Sequence, residues 1–327
     1  NSIKYYQDNL GNLEVYNLST NEISWTRSLK QRFERFQSLS FKTDRLYIGM
    51  YRPFTKKYFY YDPDWTDQQY KMSIVFPTQL SENILLSLSN KTEGKELTCL
   101  AIDLLPDVNL FAGGSQNLPE FLYDNLGKYS SIRESILNNF NSLTADSVLP
   151  YIYGIFHSKE YKMKYFADLS KEFPRIPNLK NKEKFINVGR KLMDLHLNYE
   201  EVPIYDDVEI QLSVQPSYKV TKMKFVKKRD ENGKLVNDRS TIIYNNDITI
   251  SNIPEKAYQY VVNGRSAIEW IMDQYQVKTD KKSGITDDPN DYSTDDKYIF
   301  NLLLRIINVS MQTVDLINSL PKFEVEE

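Results

Sequence analysis

The sequence predicts an α+β fold: a β-rich N-terminal part over residues 40–125, a helical middle to residue 200, then a β-hairpin lobe and a long C-terminal helix. Three observations carry this. The apolar period changes from two to the helical 3.6 after Thr144. Asp230-Glu-Asn-Gly-Lys234 is a hairpin turn between two β-rich arms. The closing stretch Lys297–Leu320 sets Ile299, Leu302, Leu303, Ile306 and Val309 on one helical stripe. No linker-like composition interrupts the chain, so two packed lobes are expected rather than separable domains.

Taken in order, residues 1–23 are polar, with a short strand expected near Leu13-Glu-Val-Tyr16. Ser24 caps a helix predicted through Phe36, with Trp25, Leu29, Phe33 and Phe36 as its stripe. Met50–Asp62 is rich in aromatic and β-branched residues and predicts a strand, with Pro53 at a start, edge or bulge. Tyr70–Phe76, Asn83–Leu88 and Glu96–Asp103 predict further strands, the last two joined at Thr92-Glu-Gly-Lys95. Ala112-Gly-Gly-Ser-Gln116 predicts a tight loop with exposed N–H groups. Asp146–Phe173 predicts two helices broken near Ser158, and Phe185–Leu197 a third. Lys219–Arg229 and Ser240–Ile250 form the arms of the hairpin. Tyr258–Val262 leads through Asn263-Gly-Arg-Ser266 into a helix from Ala267 to Tyr275, and Lys278–Tyr292 is a polar loop.

Composition narrows the chemistry. With 327 residues, a net charge of −3 and 26 % charged residues, the chain has a sizeable core and no overall basic field. Any polyanion site must be a local patch. The 24 tyrosines and 16 phenylalanines, against 11 glycines, supply large amphipathic rings for a binding surface. One cysteine excludes an internal disulfide and fits a reducing cytoplasm, and two histidines leave little for zinc. No run of apolar residues is long enough to predict a membrane span. The start, Asn-Ser-Ile-Lys, suggests a piece of something longer.

Motifs for catalysis are missing. There is no phosphate loop, no methyltransferase tetrapeptide and no zinc-ligand spacing. Pro106-Asp107 with Glu160-Tyr-Lys162 spells a restriction-nuclease pattern in letters, but Glu160 and Lys162 fall in a helical stretch. His157 and His196 are each expected to be structural, at helix ends. No catalytic residue, cofactor site or metal site is predicted within the chain.

Binding is another matter. Arg52, Lys56, Lys57 and Tyr60 put cations beside tyrosines, which suits phosphate and base contacts, or else keeps an edge strand soluble. Ser115 and Gln116 carry base-compatible hydrogen-bonding groups behind the glycine pair. The first arm of the hairpin, with Lys224 and Lys227, makes a basic ribbon of a size that enters a DNA groove. Asn263, Arg265 and Ser266 stand at a helix start, where outward N–H groups favour phosphate, and Lys278, Lys281 and Lys282 follow that helix. Pairing of Arg265 with Glu269 is the purely structural alternative.

Several stretches, in order over about nine-tenths of the chain, resemble the C-terminal specificity domain of type ISP restriction-modification enzymes. They are Ile23-Ser-Trp-Thr-Arg-Ser-Leu-Lys30, Tyr51-Arg-Pro-Phe54, Leu105-Pro-Asp-Val-Asn-Leu110 with Ser115-Gln116, Tyr151-Ile-Tyr-Gly-Ile-Phe-His-Ser158 and Phe173-Pro-Arg-Ile-Pro177. Further on come Gly189-Arg-Lys-Leu-Met-Asp-Leu-His-Leu-Asn-Tyr-Glu200, Asn263-Gly-Arg-Ser-Ala-Ile-Glu-Trp270, Tyr275-Gln-Val-Lys-Thr-Asp280 and Gly284-Ile-Thr-Asp-Asp-Pro-Asn-Asp291.

The resemblance implies sequence-specific recognition of double-stranded DNA. In that family one polypeptide also holds a nuclease, a helicase motor and an adenine-N6 methyltransferase. S-adenosylmethionine, ATP and Mg would therefore serve the parent enzyme, and this chain is expected to be non-catalytic. The methyltransferase domain is the expected partner within the polypeptide. Residues 1–40 are expected to be a remnant of that junction, and residues 41–327 the target-recognition domain. A docking domain without base readout is the competing expectation.

Overall fold

The computed structural model describes residues 2–12, 14–15, 22–90, 96–138, 140, 143–281 and 284–326. Its organising element is a sheet with both faces covered. Strands Cys99–Ile102 and Ser115–Pro119 flank Leu85–Ser89, both antiparallel to it. Successive side chains of a strand point to opposite faces. Leu85, Leu100 and Ile102 accordingly enter one core, and Leu86, Leu88, Cys99 and Ala101 another. Burial on both faces is why Leu85–Ser89 and Cys99–Ile102 are rich in apolar residues, whereas the flanking strand Ser115–Pro119 is half-exposed and more polar. Each buried leucine contributes about 1.5–3 kcal/mol.

The second core is built by helices Ala145–His157 and Lys182–Leu197. They meet at two glycines. A Cβ on Gly189 would stand 1.9 Å from the Pro150 carbonyl oxygen, and one on Gly154 would stand 2.4 Å from that of Phe185. The first core holds the hairpin lobe, helix Ala267–Gln274 and most of helix Tyr298–Asn318. That last helix is long and apolar enough to cross a membrane by length and composition, but its stripe, Ile299, Leu302, Leu303, Ile306 and Val309, lies in the core.

The two histidines occupy the seam between the cores. The Tyr153 hydroxyl accepts from Ala101 N–H at 3.1 Å and hydrogen-bonds His196 Nδ1 at 2.6 Å, and His196 Nε2 hydrogen-bonds Thr313 Oγ1 at 2.8 Å. His157 Nδ1 donates to the Tyr153 carbonyl at 2.8 Å. Burial lowers the pKa of His157 to about 3 and that of His196 well below its ordinary value, so both are neutral. The structural expectation holds, but through internal hydrogen bonds rather than a helix dipole.

Several local expectations are corrected. The aromatic stretch is not one strand but the end of the first strand, the turn and the second strand of a hairpin, Leu46–Arg52 with Thr55–Tyr60. Pro53 and Phe54 are its turn. Phe54 takes a φ of +58° and lodges, 1 % exposed, against Tyr199 and Tyr260. Tyr70–Phe76 is turns and a 3₁₀ segment, Met72–Ile74, because Val75 and Phe76 reach the core from a loop. Residues 1–23 begin with an unpredicted helix, Ser2–Asp8, and the helix predicted from Ser24 runs Arg27–Glu34, capped by Thr26, with Phe36 exposed beyond its end. The second hairpin arm splits into Leu235–Ile243 and Ile248–Ser251, as Asn245 Oδ1 accepts from the N–H groups of Asp247 and Ile248. Residues 258–262 give a 3₁₀ turn and a two-residue strand. The Leu13–Tyr16 strand and the Thr92–Lys95 turn lie outside the described residues.

Candidate nucleic-acid interface

The cations of the aromatic hairpin are all engaged internally. Arg52 Nη1 donates to Asp107 Oδ1 at 2.9 Å and lies over the Tyr51 ring. Lys56 Nζ meets Glu200 Oε2 at 2.7 Å, and Tyr298 donates its hydroxyl to the other oxygen at 2.8 Å. Lys57 pairs with Asp287, whose other oxygen accepts from Tyr292 at 2.6 Å. Two lysine–carboxylate–tyrosine sets thus line one cleft of about 560 Å³. Burial alone would raise the Asp287 pKa, yet the Lys57 and Tyr292 hydrogen bonds hold it below its ordinary value. Tyr60 stacks on Phe41, and its hydroxyl accepts from Lys42 N–H at 3.0 Å. Charge on this strand is matched where it stands.

The glycine loop and the Asn263 turn are stitched together. Asn263 and Gly264 have φ of +50° and +82° in a two-residue hairpin pairing Val262 with Arg265, the conformation that favours Asn-Gly. Asn263 Oδ1 accepts from Ala112 N–H at 3.1 Å, and Asn263 N–H donates to Thr98 Oγ1 at 3.0 Å. In the loop, Gly114 N–H goes to Phe111 and Ser115 N–H to Val108. Exposed N–H groups were expected there; these are taken up internally. Ser115 Oγ is buried without a partner, and Gln116 is exposed.

Helix Ala267–Gln274 opens on a capping box: Glu269 N–H donates to Ser266 Oγ at 3.2 Å, and Ser266 N–H donates to Glu269 Oε2 at 3.0 Å. A carboxylate occupies the place expected for phosphate, and Ser266 is buried. Arg265 does not pair with Glu269. It meets Asp273 Oδ2 at 3.0 Å, on the next turns of the same helix, and Lys278 Nζ lies 3.5 Å from Asp273 Oδ1. Arg265 and Lys278 therefore do converge, on a carboxylate that sequence reasoning passed over. Lys281 is exposed, and Lys282 lies outside the described residues.

The basic ribbon contrasts with all of this. Lys224–Arg229 pairs with Leu235–Ile243, matching Lys227 with Asn237 and Arg229 with Leu235. Lys224, Lys227, Lys228, Arg229 and Lys234 are exposed. Lys227 donates to Asn237 Oδ1, Arg229 Nη1 to the Gly233 carbonyl at 2.7 Å, and Lys228 pairs with Asp238 at 3.2 Å. The register shifts between Phe225 and Val226, leaving residues 239–241 as a bulge, and Arg239 meets Glu269 there at 3.2 Å.

The nuclease-like letters come apart in space. Asp107 is held by Arg52, Glu160 accepts from Phe323 N–H at 2.7 Å, and Lys162 pairs with Glu96. Among the described residues no group of three or more His, Cys, Asp or Glu side chains is placed to hold a metal ion.

This fold is shared with restriction-modification enzymes. It matches the ATP-dependent Type ISP restriction-modification enzyme LlaBIII bound to DNA at 54 % identity and a TM-score of 0.92. A nuclease-deletion mutant of the Type ISP enzyme LlaGI, in complex with a DNA substrate mimic, matches at 45 % and 0.86. The DrdV–DNA complex matches at 26 % and 0.85. Each match covers 99 % of this chain, but the chain spans only 21 %, 30 % and 33 % of those proteins. No match was found among curated proteins. The chain belongs to the Type ISP C-terminal specificity domain family, whose model matches residues 1–302.

Proposed function

We propose that this chain recognises a specific sequence in double-stranded DNA on behalf of a larger, single-chain restriction-modification enzyme. The observation that carries the reading is the 54 % identity, over 99 % of the chain, to a Type ISP enzyme bound to DNA. Methylation of adenine, ATP-driven motion and cleavage belong, on this reading, to other parts of the polypeptide, where S-adenosylmethionine, ATP and Mg would bind. The chain itself is non-catalytic and works in the cytoplasm.

Its partner within the polypeptide is the methyltransferase domain. Supporting this, Tyr6, Ile23, Leu29, Phe33 and Leu39 form a small cluster apart from the two main cores. Beside it the aromatic hairpin leaves Leu46, Ile48 and Tyr58 exposed, and Phe41, which precedes the hairpin and stacks on Tyr60, is exposed too. Docking and DNA contact then use different faces of one domain.

The test is equilibrium binding of duplex DNA by the full polypeptide over a range of salt concentrations. Direct phosphate contact makes log K fall with log salt by about 0.9 for each phosphate neutralised. Binding that prefers no sequence, or that does not weaken with salt, rejects the proposal.

A further inference from the structure

We infer that one face of the basic ribbon, formed by Lys227, Arg229, Leu235 and Asn237, enters the major groove, and that Asn237 reads a purine there. The inference rests on the DNA-recognition reading above and names the element and residue that perform it.

The two faces of the ribbon differ in kind. Cross-strand pairs alternate in orientation, so Lys227–Asn237 and Arg229–Leu235 share one face, and Val226–Asp238 and Lys228–Val236 the other. On the second face Val226, Val236 and Asp238 are half-buried, and Lys228 is neutralised by Asp238. On the first face all four residues are exposed, with two cations and no carboxylate. A polyanion is complementary to that face alone.

The ribbon is also braced before any partner arrives. Asp230 Oδ1 accepts from Asn232 N–H at 3.0 Å and Lys234 N–H at 2.8 Å, while Gly233 takes a φ of +75°. At the base, the Ser240 carbonyl accepts from Ile253 N–H at 3.0 Å, Arg239 meets Glu269, and Phe225 packs on Tyr258. A free-standing two-stranded hairpin is marginal in water; here both ends are tied and the middle face is left open.

The chemistry follows from Asn237. Its Oδ1 accepts from Lys227, so the Nδ2 amide is presented as a donor between two cations. In the major groove, about 12 Å wide and able to admit a two-stranded ribbon, the purine N7 is an acceptor. Lys227 and Arg229 supply the phosphate contacts that hold the register.

The experiment selects duplexes from a randomised pool with the full polypeptide and sequences the bound fraction. The parent is compared with Asn237→Ala, Asn237→Asp and the double variant Lys227→Ala/Arg229→Ala, each with its melting temperature measured alongside. The parent is expected to select one sequence. Asn237→Ala should turn one purine-restricted position degenerate, and Asn237→Asp, which only accepts, should exclude guanine there, since its N7 and O6 are both acceptors. The double variant should keep the selected sequence, bind about tenfold more weakly and lose about two units of salt slope. If the parent selects no sequence, the DNA-recognition reading fails and this inference with it. A parent consensus that both Asn237 variants reproduce unchanged overturns the ribbon assignment alone. An unchanged affinity and salt slope in the double variant does the same, and is the outcome expected of a ribbon that meets an acidic protein surface instead.

Discussion

Residues 51–61 and residues 224–237 both place lysine and arginine at strand spacing, yet the side chains end in different company. Lys56 and Lys57 meet carboxylates 144 and 230 residues away in sequence, whereas Lys227 meets an amide ten residues away and Arg229 a carbonyl four residues away. The aromatic hairpin is roofed by the Glu200 segment and the Asp287 loop, so its cations are partly desolvated and need a carboxylate. The ribbon stands in water, where an unpaired cation costs little and stays available to a ligand. Cations of the first kind are structural; those of the second face outward.

Truncation of one apolar residue in each region gives the sharpest contrast. Phe54→Ala should destabilise by about 3–5 kcal/mol, the cost of emptying a buried phenylalanine site, while Leu235→Ala at the ribbon tip should change stability by less than about 0.5 kcal/mol. Urea unfolding of both variants measures this. Equal losses would mean that the ribbon is packed after all.

Removing a carboxylate from the roof comes next. Glu200→Ala strands the Lys56 ammonium and the Tyr298 hydroxyl, and should cost about 2–3 kcal/mol. Affinity for DNA, measured on folded protein, should be unchanged. A loss of affinity without a loss of stability would place this cleft on the DNA side.

Acidification provides a third test, because His196 stacks on Tyr260 and packs near Phe54, while the ribbon contains no histidine. Both folded-state pKa values are depressed, to about 3 for His157. Below about 6.5 the unfolded chain takes up protons that the folded chain refuses. The stabilisation is complete above that pH and is lost as pH falls toward the folded values. Between pH 6.5 and 5.5 the loss should be about 1 kcal/mol for each histidine. Replacing His157 with Gln should halve the pH slope of the unfolding free energy; an unaltered slope would show that this histidine already titrates in the folded protein.

The smallest effect on stability belongs to the ribbon charges. Lys224→Ala/Lys227→Ala/Arg229→Ala should leave the melting temperature within about two degrees, as exposed charges contribute little. The same variant should lose about two units of salt slope in DNA binding, from Lys227 and Arg229, because Lys224 alternates to the opposite face of the strand. A matched triple variant of Arg52, Lys56 and Lys57 should do the reverse, melting early and keeping its slope.

Local signals were legible. Asp230-Glu-Asn-Gly-Lys234 locates a hairpin turn, and counting outward from it already pairs Lys227 with Asn237, so the missed amide could have been found from register alone. Ser158 ends one helix and caps the next, as the change in spacing indicated. Tyr70–Phe76 misled because an aromatic, β-branched run reaching the core from a loop has the same letters as a strand. Resemblance to the type ISP family identified the chain's kind, although Gly189 in its motifs is a helix-crossing contact and Ser266 a cap.

By itself the sequence determined the turns, helix stops and apolar periods, because these depend on interactions within a few residues: a φ that glycine or asparagine tolerates, a cap, a stripe. Only the tertiary structure decided which cations are neutralised. Lys57 and Asp287 come together because the chain folds over the aromatic hairpin, not because anything near Lys57 asks for a carboxylate. A charge is the same letter whether buried against a partner or open to a phosphate, and its solvent and neighbours, which set its energy, are supplied by distant parts of the chain.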